Sequence, residues 1–590
     1  MKKFITTHQL MALLAIGGSM MLAGCTNEDY DFDKVDYTLG FGGDRLSLPG
    51  SNSTAEIQLD DLLDISGSDL ISTTADGDYV FGKEPDGVNP VSVTVDPITL
   101  HNDQSRGLSF DISLPQDLLP LVGQVIQPAD YGMSLEEEGQ VSLLDYEFQA
   151  PDAVKSLQSV GLGDGGVDLS LNLLLPACVR RFGNIVIDLP DFLRMTCTNV
   201  PPGGTFDVNA NKLTLTDYTG GDLTLNFKVT SIDVANSIVD TDNYAMFENG
   251  IFSLKGYVVM SLRVDELEVP SATVLQLSGV ANFQDVTITS AHGQFDPAIN
   301  LQEAGTVTIN SIPDFLTDQE VVADLDNPQI WLTLRSTMPL GGTIEATLTS
   351  DTYPQGVVLD GNKTIRVKGS ADGQTEMETK VLICRNGSGV DNMEYQVIEV
   401  EDLSKLVNTL REGMQIKFGI NEVKATQETA TIQLGHKYHL TPAYRFTAPL
   451  AFGPEAVIVY SKMETGWNDD IDELALANNA YVHLKGTAVN KIPANLTLDI
   501  TPLGTNGQAL SDVKVELIQN QVTGTKNAAV ESPIEVKISG NVKKLDGITL
   551  KLKAESNEAL RGVTLNKSAQ TLLLKDISID LVGKLIYDAN

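Results

Sequence analysis

The feature that most constrains the fold of this chain is a period-two alternation of apolar and polar side chains. The alternation runs through 167–173, 223–229, 252–258 and 534–538, among other stretches. Because successive side chains of a strand point to opposite faces, such runs predict strands with one face in a core and the other in water. Charges on the wet positions favour antiparallel sheets over buried parallel ones. We predict a mainly β protein of several antiparallel β-sandwich-like modules in an elongated row, with a few short helices.

Three stretches carry apolar residues at helical spacing instead and are predicted to be short helices: 151–160, 401–413 and 469–477. The second is the clearest, because an acidic start and a final glycine bound its apolar stripe. Its stripe consists of Leu403, Leu406, Val407 and Leu410. A helix of this kind usually covers the open face of a sheet. A groove for a peptide or partner is the alternative.

A weak internal repeat divides the chain further. The stretch 187–193 (IDLPDFL) is echoed by 310–316 (NSIPDFL), and each is followed by a proline and glycine turn. Proline cannot continue a strand ladder, so each copy predicts a strand end, then an apolar plug, then a turn into the next strand. Fainter copies are 491–496 and 114–119. The repeat favours duplicated β modules, with chance Pro-Asp turns as the alternative.

We accordingly divide the chain into six parts, since 590 residues suffice for about three to five domains in addition to any targeting segment. The first two are a signal peptide and a short acidic tether, and the other four are β regions. The second β region contains the PDFL repeat, and the third contains the helix at 401–413. The boundaries are 1–24, 25–36, 37–150, 151–350, 351–470 and 471–590.

The N-terminus has the three parts of a secretory signal. Lys2 and Lys3 precede an apolar run from about Leu10 to Leu22 that is too short for a spanning helix. The run ends in Leu22-Ala23-Gly24-Cys25, which closely resembles the lipobox of bacterial lipoproteins. The resemblance implies that the signal is removed before Cys25 and that this cysteine is acylated. Several acyl chains on one residue give stable membrane attachment.

The residues after Cys25 are strongly acidic. Four carboxylates occur in 26–33 (TNEDYDFD), a composition typical of an extended, solvated tether. An acidic patch at this place resembles the signal that sends lipoproteins of the Bacteroidota to the outer leaflet of the outer membrane. We therefore predict a lipid-anchored outer-membrane protein exposed at the cell surface. An anchor facing the periplasm is the alternative.

The charge of the chain restricts its partners. The formal net charge is −39 at pH 7, which repels nucleic acid and anionic lipid headgroups. We expect no nucleic-acid partner, and we expect membrane contact only through the lipid at Cys25. The charge itself is suited to solubility on a crowded surface.

Three cysteines remain beside Cys25. Cys178 and Cys197 flank one stretch that could fold back on itself, so they are a candidate disulfide in an oxidising compartment. The alternative is two buried thiols on separate strands. Cys384 has no evident partner in the sequence.

Two acidic loops are weak candidates for calcium binding, since oxygen ligands at alternate positions suit Ca²⁺. The first contains Asp240 and Asp242, and the second contains Asp469, Asp470 and Asp472. Ordinary charged turns are the alternative. His436 and His439 fall on opposite faces of a predicted strand and are therefore poor co-ligands.

No nucleophile elbow, zinc-protease motif, phosphate loop or dinucleotide fingerprint is present, so we predict no catalytic residues and no enzymatic activity. The chain has two tryptophans. Trp331 lies in an alternating strand, on either the core or the exposed face. Trp467 lies in a predicted loop, where it is the better candidate for ligand binding, with packing against its own loop as the alternative.

Three hypotheses of function follow. The first is a surface binding or assembly component that joins an outer-membrane protein. The second is a glycan-binding lipoprotein similar to the accessory lipoproteins of polysaccharide-uptake systems. The third is a fimbrial or adhesin subunit, whose open sheet edge would be completed by another chain.

Overall fold

The computed structural model describes residues 38–588 with short gaps at 49–52, 54–55, 64, 66–67, 85–89, 97, 101–105, 164, 238–242, 284, 297–302, 389–392, 427 and 469–473. The lipobox with Cys25 and the acidic tether lie outside the described residues. So do all five calcium candidates: Asp240, Asp242, Asp469, Asp470 and Asp472.

The described residues confirm a mainly β fold, because alternating runs form strands almost throughout. The N-terminal segment contributes β1 (Thr38–Leu48), β2 (Ile57–Gln58), β3 (Ile71–Thr73), β4 (Tyr79–Lys83), β5 (Val91–Thr94), β6 (Ile98–Leu100) and β7 (Arg106–Ser113). The next part contains β8 (Val125–Ile126), β9 (Leu135–Gln149), β10 (Val154–Leu162), β11 (Val167–Leu174), β12 (Val179–Asp188), β13 (Leu193–Cys197), β14 (Gly204–Asp207), β15 (Lys212–Tyr218), β16 (Leu223–Asp233), β17 (Tyr244–Glu248), β18 (Ile251–Glu268), β19 (Val274–Phe283) and β20 (Val286–Phe295).

The remaining strands follow in two groups. The first group is β21 (Glu303–Ile309), β22 (Gln329–Ser336), β23 (Gly342–Ser350), β24 (Tyr353–Leu359), β25 (Ile365–Val367), β26 (Met377–Cys384), β27 (Gln396–Glu399), β28 (Met414–Ala425), β29 (Ala430–Gln433) and β30 (Lys437–Pro449). The last group is β31 (Val457–Glu464), β32 (Leu474–Leu476), β33 (Tyr481–Asn490), β34 (Asn495–Gly504), β35 (Val513–Gln519), β36 (Gln521–Val522), β37 (Val530–Gly540), β38 (Leu545–Glu555) and β39 (Thr571–Asp588).

These strands form six sheets, and only the pair β26–β27 is parallel among the described strands. Sheet 1 has the order β29-β20-β10-β16-β11-β19-β7, with β13 on β16 and β6 on β20. Sheet 2 has the order β14-β15-β12-β18-β17, with β8 and β9 on β18. The inward side chains of the two sheets share one core. In it the ring centres of Phe206 from sheet 2 and Phe227 from sheet 1 are 5.6 Å apart. We name this pair of sheets the first sandwich.

Two further pairs of sheets share a second, continuous core. Sheet 3 (β27-β26-β22-β30-β4-β3, with β5 on β30) and sheet 4 (β21-β28-β23-β24, with β25 on β23) form the second sandwich. Sheet 5 (β1-β39-β33-β37-β35, with β2 and β32 on β39) and sheet 6 (β31-β38-β34-β36) form the third. Isolated bridges such as Val322–Val457 and Ala451–Thr564 join the second sandwich to the third.

The N-terminal segment visits all three sandwiches in reverse order. Strands β1 and β2 belong to the third sandwich, β3 to β5 to the second, and β6 and β7 to the first. In the first of these pairings, Thr38 lies opposite Asp588 at the other end of the chain. The region 37–150, expected to be one β module, therefore supplies strands to three sandwiches. The boundaries expected at 350 and 470 likewise fall inside sandwiches rather than between them.

The proline repeat marks crossings between the two sheets of a sandwich. Within 187–193 the chain passes from β12 of sheet 2 to β13 of sheet 1. The copy 310–316 directly follows β21 of sheet 4, and the next strand is β22 of sheet 3. Phe192 and Phe315 are both buried, as the predicted plug requires. Gly204 and Gly342 begin the strands that follow the turns, as predicted. The fainter copy at 491–496 marks the crossing from β33 of sheet 5 to β34 of sheet 6.

The predicted helices are the main error. Residues 151–160 form most of β10, because pairing with β16 and β20 overrides a local three-residue spacing. Within 401–413 only a 3₁₀ helix forms, Glu401–Leu406, although the whole apolar stripe is buried as expected. Of 469–477, the described end holds β32. The other short helices are α1 (Leu59–Leu62) and 3₁₀ turns at Gln116–Leu121, Pro128–Tyr131, Asp314–Leu316, Gly361–Lys363 and Val542–Lys544. Among the described residues, no helix has the length and apolar character needed to cross a membrane.

Candidate functional site

Five connections gather at one end of the first sandwich, which we name the loop end. They are 114–134, 174–179, 198–204, 218–223 and 267–274. Backbone hydrogen bonds hold three of them together: the Leu114 amide donates to the Thr273 carbonyl at 2.8 Å, and the Glu268 amide donates to the Cys178 carbonyl at 2.7 Å. The Leu175 amide donates to Asp222 Oδ1 at 3.0 Å. These bonds connect four of the five connections, and 198–204 lies at the same end because it joins β13 to β14 there. The loop end is therefore built from distant parts of the sequence.

This surface is unusually apolar. Among the described residues fourteen large apolar side chains are exposed, and half of them lie at the loop end, each 39% to 55% exposed. Single exposed apolar residues need no explanation, but a contiguous group of them marks an interaction site. The seven are Leu119, Val122, Val125, Tyr131, Leu174, Val200 and Val274.

The exposed side chains are carried on a fixed backbone. Two 3₁₀ helices, Gln116–Leu121 and Pro128–Tyr131, contain Pro120 and Pro128, which restrict the backbone. Between them Val125 and Ile126 of β8 pair with β18. Leu118 and Ile126 point into the core and tie the connection to it. The patch is thus held in place before any partner binds, which lowers the entropy cost of binding.

Carboxylates lie around the patch. Asp117, Asp130 and Asp222 are exposed at the loop end. Arg180 forms an ion pair with Glu268, so these two charges cancel. The arrangement is an apolar centre with an acidic rim, which can contact a partner surface that has an apolar centre and basic side chains around it.

At the opposite end of the first sandwich, apolar side chains are covered by the second sandwich instead of being exposed. Strand β29 extends sheet 1 by pairing with β20. An apolar cavity of about 100 Å³ remains at this junction. The first sandwich lines it with side chains including Phe148, Val154 and Phe252, and the N-terminal segment and second sandwich line it with Val95, Leu340 and Tyr438, among others. We name this the covered end.

Trp467, the predicted ligand-binding residue, is half-buried. Its backbone amide donates to the Asp546 carbonyl at 2.8 Å, and its ring packs against a small cluster with Val513 and Leu545. Its indole Nε1 is buried and has no hydrogen-bond partner among the described residues. The ring thus packs against strands β35 and β38 of the third sandwich rather than against its own loop alone, and its role in ligand binding stays a prediction.

Trp331 lies on the outer face of sheet 3. Its Nε1 donates to Gln329 Oε1 at 3.2 Å and to Thr447 Oγ1 at 3.0 Å. The ring of Tyr395 meets the indole edge-on, with the ring centres 5.1 Å apart. The guanidinium carbon of Arg445 lies over the indole, 5.6 Å from its ring centre. The sequence left open whether Trp331 was core or surface, and the structure places it at the surface.

The candidate disulfide is not formed, since Cys178 and Cys197 are both free thiols. Cys178 immediately precedes β12 of sheet 2, whereas Cys197 ends β13 of sheet 1, so the stretch between them crosses the sandwich instead of folding back. Burial raises the pKa of both thiols. Burial also raises the pKa of the Cys384 thiol to about 11. The second interpretation, thiols on separate strands, is nearer to the structure.

Within the described ranges, no group of three or more His, Cys, Asp or Glu side chains could hold a metal ion. The ring centres of His436 and Tyr438 are 4.8 Å apart, so His436 packs against an aromatic ring. His483 Nε2 lies 2.5 Å from Glu535 Oε1.

The loop end was missed by sequence reasoning. Its local signal is the run Leu118-Leu119-Pro120-Leu121-Val122, which interrupts the alternation with consecutive apolar residues. Such a run can be a core segment or a surface patch, and only the fold shows which of its side chains are exposed.

Comparison with known proteins gives little. No family model matches the chain, and no curated protein matches it. One solved structure, a protein of Parabacteroides distasonis provisionally described as secreted, matches 49% of this chain and 88% of its own with 14% identity and a TM-score of 0.30. The adhesin domain of Epf from Streptococcus pyogenes matches 66% of this chain and 97% of its own, with 12% identity and a TM-score of 0.11. Neither likeness carries an argument about fold or function at these TM-scores.

Proposed function

We propose that this chain is a non-enzymatic lipoprotein, anchored at Cys25 to the outer membrane and exposed at the cell surface, which docks another protein through its loop end. The lipobox resemblance and the acidic tether support the anchor. The observation that carries the docking role is the group of seven exposed apolar side chains on a fixed backbone at the loop end.

The position of the loop end fits this role. Strand β1 begins thirteen residues after Cys25 and belongs to the third sandwich. The first sandwich is joined to the second at its covered end, and its loop end is the opposite end. The lipid anchor is thus attached to the third sandwich, which contacts the second, and the second contacts the first. The docking surface lies on the first sandwich, at the end that faces away from the second.

Magnitudes indicate what kind of complex this surface supports. Full burial of a Val or Leu side chain stabilises by about 1.5–3 kcal/mol, so covering the exposed half of seven such side chains yields about 5–10 kcal/mol. Association costs about 4–15 kcal/mol in lost translational and rotational freedom. The patch alone gives a weak complex in solution. A stable one needs contacts at the acidic rim, or two partners already confined to one membrane surface.

The acidic rim of the loop end favours one kind of binding partner over the others. A second copy of this chain would bring like-charged rims together, and anionic headgroups would meet the same repulsion in a chain of net charge −39. A protein surface with basic side chains around an apolar centre has no such penalty, and we therefore propose this as the partner.

Photo-crosslinking tests the docking role. A benzophenone amino acid replaces Val122, and in a control chain it replaces Val208, which is similarly exposed (47% and 49%) but lies in the hairpin at the opposite end of sheet 2. Irradiation of intact cells is expected to give one product of defined mass from position 122 and none from position 208. Equal products from both positions, or none from either, would contradict the proposal.

The anchor has its own test. Cys25→Ala is expected to move the protein from the detergent phase to the aqueous phase in a phase-partitioning experiment, while the wild type stays in the detergent phase. Protease added to intact cells is expected to digest the wild-type protein. Resistance to protease in intact cells, with digestion after lysis, would place the protein on the periplasmic side.

A further inference from the structure

The outer face of sheet 3 carries a second arrangement, independent of the loop end and of the proposed docking role. Ile330, Leu332 and Leu334 of β22 point into the core, so Trp331 and its alternate neighbours point outward. We name the surface around this tryptophan the Trp331 face. It consists of Gln329, Trp331, Lys380, Tyr395, Arg445 and Thr447.

The aromatic pair at its centre is held rigidly. Two hydrogen bonds from Trp331 Nε1 fix the rotation of the indole. Tyr395 meets the indole at an interplanar angle of 83°, the edge-to-face geometry that aromatic pairs favour. A ligand that contacts this pair therefore does not have to order flexible side chains first, which lowers the cost of binding.

Arg445 is the unusual cation of this face. Its guanidinium is exposed and lies over the Trp331 ring, and no described carboxylate forms an ion pair with it. Glu84, which follows β4 on the other side of β30, does not pair with it. The neighbouring cations behave differently. Both form ion pairs with carboxylates: Lys380 Nζ lies 2.6 Å from Glu394 Oε1, and Arg335 Nη2 lies 3.4 Å from Glu378 Oε1.

Stacking on an aromatic ring leaves the edge of a guanidinium free. That edge presents parallel N–H donors that match a carboxylate. In a chain with 79 acidic and 40 basic residues, a cation held over the Trp331 ring without an acidic partner among the described residues is suited to an anionic ligand that also has an apolar face. A sugar ring bearing a carboxylate has both, because its C–H groups can lie against aromatic rings while its carboxylate faces the guanidinium.

We infer that the Trp331 face binds an acidic sugar residue of the uronic acid class, with the sugar ring against Trp331 and Tyr395 and the carboxylate on Arg445. Gln329, Thr447 and Lys380 offer hydrogen-bond partners for the ring hydroxyls. Nothing in this arrangement requires a metal ion.

The chain provides its own reporter for the test. Trp331 and Trp467 are the only tryptophans, so Trp467→Phe leaves Trp331 as the single source of tryptophan fluorescence. Oligogalacturonate and oligomannuronate are titrated into the full chain, into Trp467→Phe and into Trp331→Phe. A saturable fluorescence change is expected in the first two and not in the third. Circular dichroism checks that every variant is folded.

Matched variants and ligands test the chemistry. Arg445→Gln is expected to weaken binding at least tenfold. Arg411→Gln removes another exposed arginine that forms no ion pair with a described residue, and it is expected to leave binding unchanged. Carboxyl-reduced, neutral forms of the same oligosaccharides are expected to bind at least tenfold more weakly, and added salt is expected to weaken binding of the acidic forms. Equal binding of acidic and neutral forms, equal binding by Arg445→Gln, or no saturable change up to about 10 mM ligand would overturn the inference.

Discussion

The two ends of the first sandwich differ in what lies over them. Both ends carry apolar side chains beyond the central core. At the covered end the second sandwich packs over them and even extends sheet 1 with β29, leaving only a cavity of about 100 Å³. At the loop end seven apolar side chains stay exposed on a backbone fixed by prolines and hydrogen bonds. The comparison shows that the chain itself covers the apolar side chains at one end of this sandwich and leaves those at the other end exposed.

The largest expected effect lies at the covered end. Phe252 is fully buried there and meets Phe148 edge-on at 5.2 Å. Phe252→Ala is expected to lower the free energy of unfolding by about 3–5 kcal/mol, because it removes a buried ring and leaves a cavity. Urea unfolding of the full chain measures it. Leu119→Ala at the loop end is the control, with an expected change within about 0.5 kcal/mol. Similar losses for both variants would remove the distinction between the two ends.

A smaller effect involves Asp233, at the end of β16 nearer the covered end. Burial raises its pKa, but hydrogen bonds from Asn236 and Arg194 outweigh burial, so its pKa is lowered from the ordinary value of 3.8. A carboxylate whose pKa is lower in the folded chain stabilises the fold above its ordinary pKa. That contribution is lost as the pH falls through the folded pKa.

Asp233→Asn is therefore expected to cost about 1 kcal/mol at pH 6 and progressively less below about pH 4. Thermal unfolding of the wild type and the variant between pH 6 and pH 3 checks this. Arg180→Gln breaks the exposed pair with Glu268 at the loop end and serves as the comparison, with an expected cost below about 1 kcal/mol. A gap between wild type and Asp233→Asn that stays constant down to pH 3 would contradict the assigned role.

The smallest expected effect on stability is at the loop end itself. The double change Leu119→Asp with Val122→Asp places charges on side chains that are 42% and 47% exposed. Stability is expected to change by less than about 1 kcal/mol, since neither side chain supports the core. Binding of an apolar fluorescent dye to the native protein is expected to fall. A benzophenone amino acid in place of Val125 is expected to crosslink a partner in the otherwise unchanged chain, and this crosslink is expected to disappear in the double variant. A strongly destabilised variant would show that these residues belong to the core.

Much of the fold could be predicted from local sequence. The alternation at 167–173 corresponds to β11 and that at 223–229 lies within β16, because the period of two is a property of each strand. The buried positions of Phe192 and Phe315 followed from another local pattern, the proline repeat, because proline ends a strand and the apolar residue after it enters the core. The helix predicted at 151–160 was wrong because its three-residue apolar spacing fits a helix, whereas pairing with distant strands makes most of this stretch a strand.

The pairing of strands could not be predicted in this way. Thr38 lies opposite Asp588, and no local pattern indicates a contact across the whole chain. The same limitation hid the loop end, whose five connections are brought together only by sheet topology. It also hid the Trp331 face, in which Trp331, Tyr395 and Arg445 come from separate strands or the residues beside them. In both cases the sequence contained the residue types but not their neighbours.

Hydrogen–deuterium exchange on outer-membrane fragments tests the central claim most directly. The full chain in native membrane fragments is compared with the same chain purified in mild detergent, by mass spectrometry of peptides from 114–134, 267–274 and 207–212. The account predicts slower exchange in the fragments for 114–134 and 267–274, where a partner covers the loop end, and no change for 207–212 around Val208. Equal exchange of the loop-end peptides in both preparations would contradict it.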